Sequence, residues 1–144
     1  MTTYLLDVTV LLALFDPAQV QHDAAHGWFA AHGQASWASC PLTENGVLRI
    51  VGHNRYPNSP GPPAAVAPLL AALLALPGHE FWADDLSLLD HGKVDAARLL
   101  NASQVTDSYL LALACAHKGK LTTFDRRLVT SAVPHGTRSL HVIA

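Results

Sequence analysis

The stretch from Gln104 to Arg127 sets the narrowest limits on how this chain can fold. Its first part is rich in leucine and alanine and has almost no polar face. It therefore predicts a buried helix over 104–118, which ends at Gly119 in a left-handed cap. A β-branched and aromatic strand over 121–124 follows and ends at Asp125. Asp107 lies in the first turn of the helix. In an open α/β sheet these two kinds of position meet at one edge, so we expect Asp107 and Asp125 there together.

Strand patterns and helix patterns alternate along the rest of the chain. The other predicted strands are 4–6, 36–38, 80–83 and 139–143. The other predicted helices are 8–15, 22–32, 41–51 and 64–76. A proline-rich loop over 54–63 is expected to be mobile and polar, and 86–100 to be irregular or weakly helical. The alternation predicts an α/β fold, a three-layer α/β/α sandwich with a mainly parallel central sheet, in one domain spanning 1–144.

The composition excludes several classes of protein. With 14% charged residues and a net charge of -2, the chain has no overall basic character, so nucleic-acid binding would need local patches or a metal ion. Cys40 and Cys115 are far apart and outside any CxxC pair, which favours reduced core thiols. The first residues lack the basic region of a signal peptide, and no apolar run reaches the roughly 18 residues of a membrane span. We therefore expect a soluble, cytoplasmic protein.

Four carboxylates stand apart from ordinary surface charge: Asp7, Glu44, Asp107 and Asp125. Asp7 follows two leucines and precedes a valine, and Glu44 lies in the first turn of a predicted helix. Several carboxylates placed together repel, and their burial costs several kcal/mol per ion unless a cation compensates. Mg²⁺ or Mn²⁺ suits an all-carboxylate site, and beside a phosphodiester it can activate water. The pattern predicts metal-dependent phosphodiester hydrolysis. The alternative for Glu44 and Asp107 is a favourable interaction with the helix dipole, worth at most about 1 kcal/mol each.

Four motifs together resemble a known family. They are Leu5-Leu-Asp7-Val-Thr-Val-Leu-Leu-Ala-Leu, the segment 37–49 with Pro-Leu-Thr-Glu44-Asn-Gly, the segment 81–88 with Trp-Ala-Asp-Asp, and 104–114 together with Thr122-Thr-Phe-Asp125-Arg. In this order they resemble the PIN-domain family and, more closely, the VapC-type toxins of bacterial VapBC toxin–antitoxin pairs. The resemblance implies a PIN-like sandwich and a toxic ribonuclease dependent on Mg²⁺, with Mn²⁺ as an alternative. It also implies an RNA substrate, a VapB-type antitoxin partner and a homodimer.

The resemblance assigns roles to individual residues. Asp7, Glu44, Asp107 and Asp125 match the family's acidic quartet, which is catalytic and binds the metal. Thr123 matches a hydroxyl residue that helps to hold the site. Similar sequences commonly have asparagine where this chain has Thr9, and a hydroxyl offers fewer hydrogen bonds than an amide. We therefore expect Thr9 to give Asp7 weaker support while Asp7 remains a ligand.

Basic residues close to the quartet are candidates for contact with RNA. Arg126 and Arg127 follow Asp125, and Lys118 and Lys120 are close to it in sequence. We predict that the two arginines contact phosphates, the alternative being an ordinary solvated surface. Arg49 and Arg55 are weaker candidates of the same kind.

Three other interpretations remain open from the sequence. His22 and His26 are spaced like the two histidines of a zinc-protease helix, but Asp23 replaces the glutamate and no third ligand is evident. Asp7-Val-Thr9 has a faint likeness to the nucleophile loop of haloacid-dehalogenase-like phosphatases, although no later acidic pair completes it. A non-catalytic PIN-like regulatory or interaction protein is the third, and the complete quartet argues against it.

Overall fold

A five-stranded sheet forms the centre of the computed structural model, which describes residues 1–144. The strands are β1 (Tyr4–Leu6), β2 (Trp37–Ser39), β3 (His79–Phe81), β4 (Lys120–Thr123) and β5 (Leu140–Val142). Their order across the sheet is β3-β2-β1-β4-β5, and every neighbouring pair is parallel. In the central strand, Tyr4 is in register with Trp37 on one side and Lys120 on the other. The predicted parallel sheet is confirmed.

Helices cover both faces of this sheet. They are α1 (Val8–Phe15), α2 (His22–Trp28), α3 (Pro41–Val51), α4 (Pro63–Leu74) and α5 (Val105–Ala116). Successive residues of a strand point to opposite faces, and β1 shows this directly. Leu5 packs in a cluster with the leucines of α5, whereas Leu6 packs in a second cluster with α1, α3 and α4. Because both leucines are fully buried, the sheet lies between two apolar layers, as a three-layer α/β/α sandwich requires.

The end of α5 differs in one detail from the prediction. Gly119 was expected to adopt the left-handed conformation, but Lys118 does so, with φ of 58°. The amide of Gly119 donates to the carbonyl oxygen of Ala114 and that of Lys118 to Cys115, which is the hydrogen-bond pattern of a Schellman cap. Glycine is required at 119 for a different reason: a Cβ there would collide with the carbonyl oxygen of Thr3 and lie 2.9 Å from the Trp82 ring.

Several predicted boundaries shift by one to four residues. The predicted helix 22–32 is α-helical only to Trp28, after which Phe29–Gly33 forms a π-helical turn. Strand β2 starts one residue later than predicted and β3 one residue earlier. Helix α4 contains Pro68 and ends at Leu74, two residues before its predicted end. Between β3 and α5 the chain forms only short 3-10 turns, at Ala96–Arg98 and Ala102–Gln104. Both cysteines are free, as predicted. None of the helices has the length and apolar character needed to cross a bilayer.

Candidate active site

Three aspartates converge at the carboxyl edge of the sheet. Asp7 directly follows β1, and Asp125 lies two residues beyond the end of β4, the strand paired with β1. Asp107 lies in the first turn of α5. Burial makes the largest contribution, and together with the charges of Asp7 and Asp125 it raises the pKa of Asp107 to about 6. The predicted meeting of Asp107 with Asp125 is therefore seen in the structure, with Asp7 as the third member.

Asp7 is held from several directions. Burial raises the pKa of its carboxyl, and the nearby charge of Asp125 acts in the same direction. A hydrogen bond from Thr123 and the backbone N–H groups of Val8 and Thr9 act in the opposite direction. The rise is larger, so the pKa of Asp7 stays above its usual value. Those two amides lie close to the carboxylate without completing a helix-capping hydrogen bond. The Thr9 side chain is exposed and its hydroxyl bonds to no protein group, so only the Thr9 backbone supports Asp7.

Thr123 links two of the aspartates. It is fully buried at the end of β4, where its hydroxyl donates to Asp7 Oδ2 over 2.8 Å. The same oxygen accepts the Asp125 backbone N–H at 3.1 Å. Asp125 Oδ1 in turn accepts the Arg127 backbone N–H at 2.8 Å, which orients this exposed carboxylate. The hydroxyl predicted to help hold the site thus fixes both the Asp7 side chain and the turn that carries Asp125.

Asp107 is the least restrained of the three aspartates. Its carboxylate is half-buried and accepts no hydrogen bond from the protein. The adjacent Ser108 is fully buried with a hydroxyl that also lacks a partner. A carboxylate in this state, facing two others, gains from any cation that enters, because the cation removes the mutual repulsion.

Glu44 is turned towards a pair of residues that the sequence did not single out. Ser39 Oγ, fully buried at the end of β2, donates to Glu44 Oε2 over 2.6 Å. His79 Nε2 lies 2.7 Å from the same serine oxygen, and it must be the donor because the serine proton is already given to Glu44. Burial lowers the pKa of His79, while the charges of Glu44 and Glu80 oppose that fall. Local sequence carries no sign of this chain of bonds, since Ser39 and His79 are joined only by the pairing of β2 with β3.

The donor set suits a hard divalent cation, but the side chains do not form a closed ligand cage. No three histidine, cysteine, aspartate or glutamate side chains are gathered in positions that would hold a metal ion together. Mg²⁺ does not require such a cage, because it usually keeps several waters and is bound through one or two carboxylates. The half-buried, unbonded Asp107 carboxylate beside Asp7 fits that mode of binding. The assignment of Asp7, Glu44, Asp107 and Asp125 as metal ligands stays a prediction.

The paired histidines of α2 have a structural role. His22 Nδ1 donates to the carbonyl oxygen of Ala13 at 2.7 Å, and His26 Nε2 donates to that of Leu14 at 3.0 Å. These carbonyls end α1 and would otherwise lack partners. With one nitrogen of each ring used in this way and no third ligand nearby, the pair is not a zinc site.

The basic residues divide between two edges of the sheet. Arg126 and Arg127 are exposed beside Asp125 and form no ion pair, since the chain's single salt bridge joins Arg98 to Asp95. Lys118 and Lys120, which are close to Asp125 in sequence, lie at the opposite end of β4. A four-residue strand spans about 13 Å, which carries both lysines to the far edge. Their closeness to Asp125 in sequence therefore does not bring them to the aspartates.

Asp16 is a buried carboxylate outside the aspartate cluster. It is 4% exposed at the end of α1 and accepts hydrogen bonds from the Tyr56 hydroxyl, from Asn58 Nδ2 and from the Ala18 amide. Burial alone would raise the pKa of Asp16, but these bonds bring it below its usual value. Asp16 therefore fastens the proline-rich loop, for which the sequence predicted mobility, to α1. Tyr56 and Asn58 lie about 40 residues from Asp16 in sequence, so no local signal marks this carboxylate.

Comparisons with known proteins agree with this geometry. Residues 4–133 match the model of the PIN domain family. Ribonuclease VapC44 of Mycobacterium tuberculosis is 46% identical over 134 residues, which are 93% of this chain and 94% of that protein. Ribonuclease VapC39 of the same organism is 42% identical over 130 residues, 90% of this chain and 94% of that protein.

Solved structures support the fold alone, because their sequence identity is low. The crystal structure of Mycobacterium tuberculosis VapC20, described as a sarcin–ricin loop cleaving toxin, gives a TM-score of 0.61 at 13% identity, covering 91% of this chain and 96% of that one. VapBC2 from Rickettsia felis, crystallised with a DNA fragment from its promoter, gives a TM-score of 0.59 at 12% identity, covering 99% and 100%.

Proposed function

This chain belongs to the PIN domain family, and we propose that it is the endoribonuclease toxin of a type II toxin–antitoxin pair, which hydrolyses RNA phosphodiester bonds with the aid of Mg²⁺ or Mn²⁺. The observation that carries the proposal is the convergence of Asp7, Asp107 and Asp125 at the carboxyl edge of a parallel sheet. There the charge of Asp125 raises the pKa of Asp7, and the charges of both raise the pKa of Asp107. Ligands and reactive groups of open α/β sheets collect at this edge. The extensive identity to proteins named ribonucleases supplies the substrate class.

Asp7 and Asp107 are the residues that would hold the ion directly, with Glu44 and Asp125 completing the site directly or through water. When bound, the ion supplies an activated water at neutral pH and neutralises charge that develops on the phosphate oxygens. Asp107 must release its proton before it can act as a ligand. Because its pKa is about 6, we expect metal affinity to rise as the pH increases through that value.

Two hydroxyl groups position the outer carboxylates. Thr123 donates to Asp7 Oδ2 and fixes the Asp125 turn by accepting its backbone N–H. Ser39 holds one oxygen of Glu44 and leaves the other without a hydrogen bond from the protein. Orientation of this kind reduces the entropy cost of assembling the site around substrate.

A VapB-type antitoxin and a second copy of the chain are the protein partners that we infer. Support for the antitoxin comes from the VapC names of the relatives and from the VapBC2 complex, whose fold is shared. Large exposed apolar side chains are spread over the surface, with Leu42 on α3 and Leu69 on α4 among them.

The test is cleavage of RNA by the wild type and by Asp7→Ala and Asp107→Asn, each with Mg²⁺ and with EDTA. Removal of a residue that only supports a metal ligand typically lowers activity by roughly 10- to 100-fold. We expect the rate of RNA cleavage to fall by more than this in both variants, and in the wild type with EDTA. Asp85→Asn is the matched control, because Asp85 is an exposed aspartate on the loop after β3 that accepts no hydrogen bond. Cleavage that survives both site substitutions would refute the metal-site mechanism.

The rival function, a non-catalytic PIN-like regulator, is not favoured by these observations. A regulator has no need for three aspartates whose proximity costs free energy, and its relatives would not be ribonucleases. The same assay separates the two functions. A protein that binds an antitoxin, but cleaves no RNA under any metal condition, would establish the regulator.

A further inference from the structure

A basic hollow lies on the outer side of α3, away from the three aspartates. It has a volume of about 320 Å³ and lies between the end of α3 and the start of the proline-rich loop. Its lining residues are Arg49, Ile50, His53, Arg55, Tyr56 and Pro57. We propose that this hollow binds a phosphate and a base of single-stranded RNA, and that it leads the substrate strand to the aspartates. The inference rests on the proposed function, because it assigns the path of that function's substrate.

The two arginines of the hollow carry charge that the protein does not use. Arg49 and Arg55 are exposed, and neither guanidinium makes a salt bridge or a hydrogen bond to any protein group. Of the other basic residues, Arg98 is paired with Asp95, and Lys118 lies at the opposite edge of the sheet. In a chain of net charge -2 whose reactive centre is a carboxylate cluster, a polyanion needs a local source of positive charge.

Tyr56 gives the hollow a fixed aromatic wall. Its hydroxyl donates to the buried Asp16 and accepts from Gln19 Nε2 at 2.8 Å, so the ring cannot turn away. The ring is half-buried, and its open side faces the same space as Arg55. A base stacked on an anchored aromatic ring, beside arginines on the phosphates, is a general mode of single-strand binding that tolerates many sequences.

His53 adds a hydrogen-bond donor at the rim. Its Nδ1 accepts the Arg55 backbone N–H at 3.0 Å, so the neutral ring carries its proton on Nε2. The ring is exposed, and that N–H has no protein acceptor. It is therefore free to donate to a phosphate or a base edge.

Arg49 stands between this hollow and the side of the candidate active site. This residue also lines a second hollow, of about 280 Å³, whose walls are Val8, Leu42, Asn45, Gly46 and Thr106. Val8, Asn45 and Thr106 are the immediate neighbours of Asp7, Glu44 and Asp107 in the chain. An RNA strand that places one phosphate at Arg55 and a neighbouring phosphate at Arg49 would therefore arrive beside the carboxylates. Arg126 and Arg127, which follow Asp125, are left to contact the strand on the other side.

The experiment measures binding of a single-stranded oligoribonucleotide of about 12 nucleotides, within the usual range of such sites, in EDTA. Affinity is followed between about 50 and 200 mM salt for the wild type, Arg49→Ala, Arg55→Ala and the double variant. Each lost phosphate contact should reduce the slope of log K against log salt by about 0.7, and the double variant by about 1.4. Arg138→Ala is the control, since Arg138 is an exposed arginine whose guanidinium contacts only His135, and it should leave the slope unchanged.

Substitutions of Tyr56 test the aromatic wall separately. Tyr56→Leu should weaken binding by about 5- to 150-fold through lost stacking. Tyr56→Phe keeps the ring but loses its anchor on Asp16, so its affinity should fall between those of the wild type and Tyr56→Leu. In the presence of Mg²⁺, Arg49→Ala/Arg55→Ala should raise KM for RNA with little change in kcat. These readouts hold even if a variant is less stable, provided that it is folded at the assay temperature.

The outcomes separate this inference from the proposed function. If both arginine variants show the same slope of log K against log salt as the wild type, and RNA cleavage is intact, the proposed RNA path is overturned while the proposed function stands. The arginines would then be available to a protein partner. Absence of RNA cleavage by the wild type with any divalent metal would instead overturn the proposed function.

Discussion

Asp107→Asn should stabilise the folded protein at neutral pH, although it removes a residue of the candidate active site. The wild-type carboxylate is half-buried, accepts no hydrogen bond and faces Asp7 and Asp125, so its charge opposes folding. Asparagine has almost the same shape and no charge. It therefore resembles the protonated form of Asp107, which the fold favours.

The magnitude follows from the pKa. Burial and the two neighbouring charges raise the pKa of Asp107 from 3.8 to about 6. Each unit corresponds to about 1.4 kcal/mol, so the upper limit is about 3 kcal/mol. Water reaches this half-buried group and screens it, and we expect about 1 to 2 kcal/mol.

The sign of the pH dependence is opposite to that of a salt-bridged aspartate. A carboxyl whose folded-state pKa is raised binds its proton more tightly in the folded state, so the fold loses stability as the pH rises from about 4 to about 6. The advantage of Asp107→Asn over the wild type should therefore be near zero at pH 4 and complete above pH 7.

Urea denaturation in EDTA across this pH range measures the difference in the free energy of unfolding. Asp85→Asn serves as the control, since it removes an exposed aspartate that accepts no hydrogen bond. A difference between Asp107→Asn and the wild type that does not vary with pH, or a variant less stable at pH 7.5, would refute the proposed repulsion among the three aspartates.

Three further predictions concern the same protein. Mg²⁺ should stabilise the wild type against urea, by about 1.4 kcal/mol at ten times its Kd, and should not stabilise Asp107→Asn; equal stabilisation of both would count against Asp107 as a ligand. Thr123→Val should lower the free energy of unfolding by about 1.5 to 3 kcal/mol at pH 7, because it removes the hydroxyl between Asp7 and the Asp125 amide. An NMR titration of this variant should show a further rise in the pKa of Asp7. Asp16→Asn should lower the free energy of unfolding at pH 7 by about 1 to 2 kcal/mol. Because hydrogen bonds from Tyr56 and Ala18 lower the pKa of Asp16 in the wild type, this difference should shrink as the pH falls below about 4. A difference that does not vary with pH would contradict this.

Elements whose cause is local were predictable from the sequence. The strand at 4–6 and the helices at 8–15 and 41–51 have the predicted bounds, because an apolar run, a carboxylate and an early proline mark them directly. The meeting of Asp7 with Asp125 was predictable because it follows from the parallel topology. Thr123 was likewise found through its fixed distance from Asp125.

Features that depend on tertiary contacts were not predictable. Lys118 takes the left-handed conformation, whereas Gly119 is pressed against Thr3 and Trp82, so the glycine is needed for space and not for φ. Glu44 faces Ser39 because β2 and β3 place Ser39 beside His79, which is 40 residues away in sequence. The proline-rich loop has the composition of a mobile segment, and only the burial of Asp16 shows why it is fastened.

The hydrogen bond between Thr123 and Asp7 joins residues 116 positions apart. Thr123, which holds Asp7, lies on β4. This strand can pair with β1 only after nearly nine-tenths of the chain has been synthesised. A nascent chain can form α1, α2 and the β1–β2 pair early, yet it has neither Asp107 nor Asp125 in place. Contacts of such long sequence separation also carry a loop-closure entropy cost, which slows folding. We therefore expect a nascent chain, or a fragment that lacks β4, to be without the assembled aspartate cluster.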